Sequence, residues 1–335
     1  MSTRRIAVLV PDPHYDRVLT SEARARLDTL GEVVRPAATS EELAPLLPEV
    51  LASVDVCVTG WGTPPLPIAS LPADARLRLI THTAGSVRHL IPKEAYVRGI
   101  QVTHAAGIIA DAVAEITLLL MLEGLRRVGE MDRRMKAGVE FAQAGDVYPG
   151  DLLHGQRVGL VAAGYVGRRV VRLLAPFAVD LSVYDPYLSE REAAELGVRR
   201  VDLEPLFADN RIVSVHAPST PETRHMIRAR HLALLQERAI FINTARSWPV
   251  DQDALLTELR RGRVWAALDV FDTEPLPQDS PFRSLSNVVL TPHVAGRSLT
   301  TLRSQGLAMV DEIERWIRHE PLRYPVTEAM VEMMA

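Results

Sequence analysis

Short apolar runs rich in β-branched residues alternate along the chain with longer stretches whose apolar residues recur every three or four positions. The short runs are typical of strands buried in a parallel sheet, and the longer stretches are typical of amphipathic helices. Strands and helices that alternate from end to end predict βαβ units. The pattern therefore indicates an α/β protein.

The first part of the chain predicts a small open sheet. Its strands are predicted at 6–10, 32–35, 54–59, 77–81 and 100–103, with helices over 21–30 and 40–51 between them. The run at 6–10 stops at Pro11 and is too short for the apolar region of a secretion signal, so we interpret it as the first strand.

A second strand series follows a predicted long helix over about 110–136 and a loop at 138–155. Six parallel strands would complete a dinucleotide-binding sheet. They are predicted at 158–162, 181–184, 212–215, 240–243, 266–270 and 288–290. The last helix, over 299–319, is predicted to return to the first domain. The predicted domains are therefore 1–104 together with 299–335, and 105–298.

Composition narrows the class of protein. The chain has 335 residues, of which 47% are hydrophobic and 24% charged, as in a folded protein of two domains. Its net charge of −4, with scattered basic residues, argues against a nucleic-acid partner. The longest apolar run, at 116–122, is too short to cross a bilayer, so no membrane partner is expected.

The single cysteine, Cys57, excludes an intrachain disulfide and fits a reducing compartment. We therefore predict a cytoplasmic protein. Histidines, cysteines and carboxylates do not cluster with the spacing of metal ligands, so we expect no metal site.

A turn with glycines follows the first strand of the second series. It reads Ala162-Ala163-Gly164-Tyr165-Val166-Gly167 and leads into a helix, whose first N–H groups can bind a pyrophosphate. Asp185 ends the next strand, where a carboxylate accepts hydrogen bonds from ribose hydroxyls. No arginine follows Asp185 to hold a 2′-phosphate, so NAD is favoured over NADP. The alternative is a tight surface turn, and Ala162 replaces the first glycine of the motif.

Three segments after predicted strands carry Arg246, Glu274 and His293. Ligands bind at the carboxyl ends of strands in open α/β sheets, so these side chains can converge. Arginine can hold a carboxylate and polarise a keto oxygen, and histidine can give and take a proton near neutral pH. A glutamate beside the histidine fixes its tautomer. Each residue alone has a structural alternative, but the combination favours a dehydrogenase of small carboxylates.

The sequence resembles the D-isomer-specific 2-hydroxyacid dehydrogenases, which include phosphoglycerate, glycerate, D-lactate and glyoxylate-type enzymes. The resemblance covers nearly the whole chain and is most specific at 243–246, 266–276 and 287–293. It implies two doubly wound parallel-sheet domains, a flavodoxin-like substrate domain and a Rossmann NAD-binding domain. It also implies a homodimer built on the helix near 113–136.

The same resemblance assigns site residues. It implies Arg246, Glu274 and His293 as catalytic groups that transfer a hydride between NAD(H) and a small D-2-hydroxy acid or 2-keto acid. The implied cofactor-binding residues are Gly164, Tyr165, Val166, Gly167, Asp185, His216, Pro218, Thr223, Thr244, Ala245, Asp269, His293 and Gly296. The implied substrate-binding residues are Trp61, Ala84, Gly85, Ser86 and Arg246.

The sequence departs from the family pattern at several positions. Besides Ala162, His104 stands where asparagine is frequent, Ser247 replaces a glycine, and Arg297 follows Gly296 in place of a small residue. Two alternatives stay open: an enzyme like formate dehydrogenase, which has glutamine where this chain has Glu274, and an NAD(H)-sensing binding protein of the corepressor type. No motif identifies the acid that is the substrate.

Overall fold

The computed structural model describes residues 4–145 and 150–334. The chain divides into two compact units. One consists of Met1–Ala110 and Arg297–Ala335, and the other of Asp111–Gly296. The sequence pattern predicts divisions after residues 104 and 298, whereas these units divide after Ala110 and after Gly296.

The first unit is built on the strands β1 (Arg5–Val8), β2 (Glu32–Val34), β3 (Val56–Thr59), β4 (Leu79–His82) and β5 (Gln101–His104). All pairings are parallel, in the order β2-β1-β3-β4-β5. This is the order of flavodoxin-like sheets. The central strands are buried on both faces, which explains their continuous apolar runs.

The second unit is built on the strands β6 (Arg157–Val161), β7 (Asp180–Tyr184), β8 (Arg199–Arg200), β9 (Ile212–Val215), β10 (Ile240–Asn243), β11 (Trp265–Leu268) and β12 (Val288–Leu290). Their order is β12-β11-β10-β9-β6-β7-β8. This order is the Rossmann arrangement extended by one strand. The prediction of six strands was wrong within the described chain, because β8 consists of two exposed arginines at the sheet edge and has no apolar run.

Helices connect the strands and cover both sheets. They are α1 (His14–Val18), α2 (Ser21–Leu30), α3 (Ser40–Ser53), α4 (Glu94–Val97), α5 (Ala106–Arg126), α6 (Val128–Lys136), α7 (Phe141–Gly145), α8 (Tyr165–Leu174), α9 (Glu190–Leu196), α10 (Leu203–Asp209), α11 (Ala229–Leu232), α12 (Gln252–Arg260), α13 (Leu299–Ile317) and α14 (Glu328–Glu332). Short 3-10 turns occur at Ile68–Ser70, Ala175–Phe177 and Pro281–Ser284. No described helix is long and apolar enough to span a membrane.

The predicted single helix over 110–136 is two helices, α5 and α6. They are separated by Arg127, which has a left-handed backbone with φ of 50°. The carboxylate of Glu123 accepts a hydrogen bond from the amide of Gly129 at 2.9 Å, so the side chain caps the new helix. Glycine and the β-branched Val128 are poor helix formers, which favours the break at this place.

Close packing places the helices on their sheets. A Cβ atom at Gly124 of α5 would lie 2.8 Å from Ile240 of β10, so only glycine permits this approach. Along β10, Ile240 and Ile242 face the core shared with α5 and α8, whereas Phe241 faces the core shared with α10, α11 and α12. The carboxyl ends of β6, β9, β10, β11 and β12 consequently meet at one edge, as parallel strands must.

Candidate active site

Arg246 lies in the loop that follows β10. Asn243, the last residue of that strand, shapes the loop through its side chain. Its Nδ2 donates to the carbonyl of Arg246 at 2.8 Å, and its Oδ1 accepts from the amide of Ala245 at 3.1 Å. These two bonds hold the backbone that carries Arg246.

Arg246 is half-buried, and its Nη1 donates to the carbonyl of Ala245 at 2.7 Å. Burial lowers the pKa of Arg246, and the charges of Glu274 and Asp269 act in the opposite direction. Arginine stays protonated at neutral pH even so. Across the described residues Arg246 forms no ion pair, so its charge is available to a ligand carboxylate.

Asp269 follows β11 and is completely buried. Its Oδ1 accepts from the hydroxyl of Thr291 at 2.6 Å and from the amide of Val294 at 2.9 Å, and its Oδ2 accepts from the amide of Ala295 at 2.9 Å. The amide of His293 donates to the carbonyl of the same aspartate at 2.9 Å. Asp269 therefore fixes the loop that presents His293.

His293 and Glu274 form a close pair. The Nδ1 atom of His293 lies 2.7 Å from Oε2 of Glu274, and Oε1 of Glu274 accepts from the amide of Phe271 at 2.9 Å. The glutamate is thus held by the backbone and orients the imidazole. The side chain of His293 is 45% exposed, and its Nε2 is the nitrogen turned away from Glu274. This nitrogen can exchange a proton with a ligand.

The turn between β6 and α8 has the form that a pyrophosphate needs. A Cβ atom at Gly167 would lie 2.4 Å from the carbonyl oxygen of Ala162, whereas one at Gly164 would meet no atom within 4 Å. Gly167 thus permits the close turn and Gly164 leaves open space for a ligand. Within the described chain the amides of Val166 and Gly167 at the start of α8 donate to no protein acceptor, so they can bind an anion.

Asp185 lies beside this turn. Its Oδ2 accepts from the amide of Ala163 at 2.8 Å and its Oδ1 from the amide of Tyr187 at 2.9 Å. Each carboxylate oxygen has a second acceptor site, so ribose hydroxyls can still be bound. Arg168 is also near, because its Nε donates to the carbonyl of Ala163 at 2.9 Å, but its Nη2 is paired with Glu192 at 2.9 Å.

The other predicted cofactor residues lie in loops at the same edge of the sheet. Both ring nitrogens of His216 are buried without a protein partner among the described residues, and burial lowers its pKa to about 4. Thr223 donates to the carbonyl of Pro218 at 2.7 Å and so closes its own loop. The hydroxyl of Thr244 lies 2.9 Å from that of Thr117 on α5. Tyr165 starts α8, and Gly296 follows Ala295.

These residues fit NAD. The turn offers free amides and open space at Gly164, the carboxylate of Asp185 stands beside it, and the buried ring nitrogens of His216 lack a protein partner. No group of three or more potential metal ligands occurs in the described part of the chain.

Apart from Arg246, the predicted substrate residues belong to the first unit, where they follow β3 and β4. In the turn after β4, the amides of Ala84, Gly85 and Ser86 donate to no acceptor among residues 4–145 and 150–334. Consecutive free amides can form a concave anion-binding turn, and we call this segment, 84–86, the glycine turn. His104 supports it, because its Nδ1 lies 2.7 Å from the carbonyl oxygen of Gly85. Trp61 is half-buried in the loop after β3.

Several supporting residues have no signal in the sequence. The contact between Thr117 and Thr244 joins positions 127 residues apart, and periodicity does not encode such a pair. Arg168 lies near Asp185 in space but not in sequence. Thr291 stands two residues before His293, and its bond to Asp269 follows only from the loop geometry.

Comparison with known proteins agrees with this site. Residues 118–295 match the NAD-binding domain of the D-isomer specific 2-hydroxyacid dehydrogenases. The chain is 37% identical over 252 residues to a glyoxylate reductase of Korarchaeum cryptofilum, covering 75% of this chain and 76% of that protein. It is 32% identical over 327 residues to a D-3-phosphoglycerate dehydrogenase of Methanocaldococcus jannaschii, covering 94% of this chain but 58% of that protein.

A solved structure is similar over the full length. The phosphoglycerate oxidoreductase of Rhizobium etli superimposes with a TM-score of 0.83 at 27% identity, covering 98% of this chain and 99% of that one. The two parallel sheets, the cofactor turn and the sequence matches together lead to one conclusion. The chain belongs to the D-isomer specific 2-hydroxyacid dehydrogenase family and is an NAD-dependent oxidoreductase that acts on CH–OH groups.

Proposed function

We propose that the protein interconverts a small D-2-hydroxy acid and its 2-keto acid, with His293 as acid and base and Arg246 as the substrate anchor. The observation that carries this proposal is the 2.7 Å pair of His293 and Glu274, at the sheet edge that also carries the half-buried, unpaired charge of Arg246. Bound NADH supplies the hydride for the keto carbon.

Arg246 binds the substrate carboxylate and the adjacent keto oxygen. Its planar fork suits two oxygen acceptors, and its enclosure makes the interaction stronger than it would be in water. Because the guanidinium of Arg246 hydrogen-bonds only to a backbone carbonyl within the described chain, substrate binding breaks no ion pair.

His293 donates a proton to the keto oxygen during reduction and accepts it back during oxidation. Glu274 holds Nδ1, so Nε2 is the atom that faces the substrate. The glutamate also stabilises the imidazolium form. Asp269 keeps the loop of His293 in place through its three side-chain hydrogen bonds.

The remaining predicted residues divide between cofactor and substrate. We propose that the amides of Val166 and Gly167 hold the pyrophosphate and that Asp185 holds the adenosine ribose, which favours NADH over NADPH. The first unit is proposed as the substrate-binding domain, with the glycine turn of Ala84, Gly85 and Ser86 contacting the substrate carboxylate.

The test is NADH oxidation with a panel of 2-keto acids: glyoxylate, hydroxypyruvate, pyruvate and bulkier acids. We expect wild-type protein to reduce at least one of these acids. His293→Ala should lower the rate on the order of 100-fold and should still bind NADH. Wild-type protein that binds NADH but reduces none of these acids would favour the NAD(H)-sensing alternative.

We also propose that the enzyme is a cytoplasmic homodimer. The single cysteine, which is buried, is compatible with the cytoplasm. Large apolar side chains are exposed along α5, α6 and α7, with Leu119 60%, Val128 59% and Phe141 82% exposed. An apolar surface of this kind supports an interface between two copies.

A further inference from the structure

A row of buried polar side chains crosses the carboxyl edge of the first sheet. Thr59, His82 and His104 are the last residues of β3, β4 and β5. The strand register places Thr59 opposite His82 and His82 opposite His104, so the three side chains point to the same face of the sheet. All three are buried. Buried polar groups are normally hydrogen-bonded, so the partners of this row show what it holds in place.

Each histidine of the row forms a hydrogen bond through its Nδ1 atom. Nδ1 of His82 lies 2.9 Å from the hydroxyl oxygen of Thr59, and Nδ1 of His104 lies 2.7 Å from the carbonyl oxygen of Gly85. A carbonyl oxygen only accepts, so Nδ1 of His104 carries a proton and donates it. Burial lowers the pKa of both rings, that of His82 to about 3, although hydrogen bonds to the backbone of Gly85 and Ser86 act in the opposite direction. Both rings are therefore neutral at neutral pH and act as hydrogen-bonding groups.

The carbonyl groups of the glycine turn face the end of β5. The carbonyl oxygen of Ala84 accepts from the amide of Ala105 at 3.0 Å, and that of Gly85 accepts from the ring of His104. In a trans peptide the C=O group and the following N–H group point in opposite directions, and the peptides of this turn are trans. The amides of Gly85 and Ser86 are therefore turned away from β5. Neither amide has an acceptor among the described residues, so both can bind an anion.

The hydrogen bond from His104 is the shorter of these two. The amide of Ala105 is shared between the carbonyl oxygens of Ala84 and His82 at 3.0 Å each, whereas Nδ1 of His104 lies 2.7 Å from its acceptor. His104 ends β5, and His82 stands next to it at the end of β4, so the strands set the places of both rings. The sheet thus holds the glycine turn through these side chains.

We propose that His104 and the adjacent His82 are positioning residues, which fix the direction of the anion-binding amides in the glycine turn. The inference rests on the proposed function, in which this turn contacts the substrate carboxylate. A turn that is held in the binding direction takes the carboxylate without first ordering its backbone. Loss of either Nδ1 hydrogen bond should therefore weaken binding of the keto acid and leave hydride transfer unchanged.

The test compares leucine with asparagine at each position, because the two side chains have the same branching and differ in their polar atoms. Asparagine can place Nδ2 or Oδ1 where histidine has Nδ1, whereas leucine has no polar atom there. At saturating NADH, His104→Leu and His82→Leu should each raise the KM for the keto acid about tenfold, the effect of one hydrogen bond, with little change in kcat. The KM of His104→Asn and of His82→Asn should stay within about threefold of the wild-type value.

Thr81→Val is the matched control. Thr81 precedes His82 on β4, is buried and points to the other face of the sheet, and its hydroxyl has no partner among the described residues. This variant should keep the wild-type KM. Thr59→Val removes only the hydroxyl that faces His82, so it should raise the KM even where a histidine variant does not fold.

Two results overturn the positioning role and leave the proposed reaction intact. One is an equal KM in the leucine and asparagine variants, and the other is a wild-type KM in both leucine variants and in Thr59→Val. Wild-type protein that reduces no keto acid overturns the proposed function, and this inference with it.

Discussion

Ala162 and His293, which are not glycines, have a left-handed backbone at the sheet edge that carries the candidate active site. Ala162 has φ of 78° and His293 has φ of 51°. Such angles cost side-chain residues about 1–2 kcal/mol and persist where the surroundings hold them. At His293 the surroundings are the hydrogen bonds to Asp269, and the strain serves to present the imidazole. At Ala162 the strain belongs to the cofactor turn.

Replacement of Ala162 by glycine should therefore relieve strain. Ala162→Gly is expected to raise the free energy of unfolding by about 0.5–1 kcal/mol and to keep or improve NADH affinity. Urea unfolding and fluorescence titration with NADH measure the two quantities. Ala178→Gly is the control, since Ala178 has φ of 47° in another loop. This substitution should change the free energy of unfolding but not the NADH affinity. A large loss of NADH affinity in Ala162→Gly would mean that the methyl group is part of the site.

Cofactor choice should depend on Asp185. Asp185→Ser removes the charge that repels a 2′-phosphate and one charged acceptor for the ribose, so the preference for NADH over NADPH should narrow about tenfold or more. The kcat/KM values for the two cofactors give this ratio. Asp180→Ser, at the opposite end of β7, should leave it unchanged. Equal use of NADPH by wild type would contradict the assignment.

The identity of the candidate groups was predictable from the sequence because Arg246, Glu274 and His293 each follow a recognisable strand. Their catalytic roles stay predictions. The residues that hold these side chains in place were not predictable. Asn243 and Asp269 act by hydrogen bonds to the backbone of the loops, and such bonds leave no periodic pattern in the sequence. Arg168 lies near the proposed ribose site only because folding brings its side chain to the carbonyl of Ala163, and the sequence does not indicate this contact.

At the scale of elements, the loop after β12 is held mainly by one buried carboxylate. Asp269→Asn replaces a charged acceptor by an amide, and its NH2 group must face one backbone amide, either that of Val294 or that of Ala295. The free energy of unfolding should fall by about 2–3 kcal/mol, the cost of lost charged hydrogen bonds. The kcat/KM for keto acid should fall at least tenfold, because His293 is no longer held in place.

Urea unfolding and steady-state kinetics measure these effects, and Asp272→Asn, an exposed carboxylate in the same segment, is the control. Stability and activity at the wild-type level in Asp269→Asn would show that the loop keeps its conformation without this carboxylate.

Elements were predicted best where an apolar run ends sharply. The strands Ile212–Val215, Ile240–Asn243 and Val288–Leu290 have the predicted bounds. The long helix was predicted wrongly, because its break at Arg127 depends on a side-chain contact between Glu123 and Gly129. Periodicity records which residues face a core, not which carboxylate caps a helix.

At the scale of the molecule, the two sheets have the strand orders of a flavodoxin-like and a Rossmann domain. The alternation of strands and helices predicts the α/β fold class. The family resemblance implies the flavodoxin-like and Rossmann types of sheet. The edge strand β8 was not predicted, because its two exposed arginines have the polar character of a loop sequence.

The homodimer should depend on the exposed apolar side chains of α5 to α7. Sedimentation equilibrium should give a mass near twice 37.0 kDa for wild type. Leu119→Glu should shift the protein toward the monomer, because a buried charge without a partner opposes association. Val97→Glu, at an apolar side chain that is 84% exposed in the first unit, is the matched control and should stay dimeric. A monomeric wild type would contradict the proposal.

In the proposed reaction, His293 and Glu274 transfer the proton as one unit. Reduction of the keto acid needs His293 protonated, and oxidation of the hydroxy acid needs it neutral, so the two directions should have opposite pH dependences. Glu274→Gln removes the negative charge that stabilises the imidazolium while retaining a hydrogen-bonding group.

The most direct measurement is the pH profile of keto-acid reduction by wild type and by Glu274→Gln, at saturating NADH and with chemistry shown to limit the rate. The alkaline fall of the rate should move to lower pH in the variant. An alkaline limb at the same pH in both proteins would separate Glu274 from His293 and contradict the site proposed here.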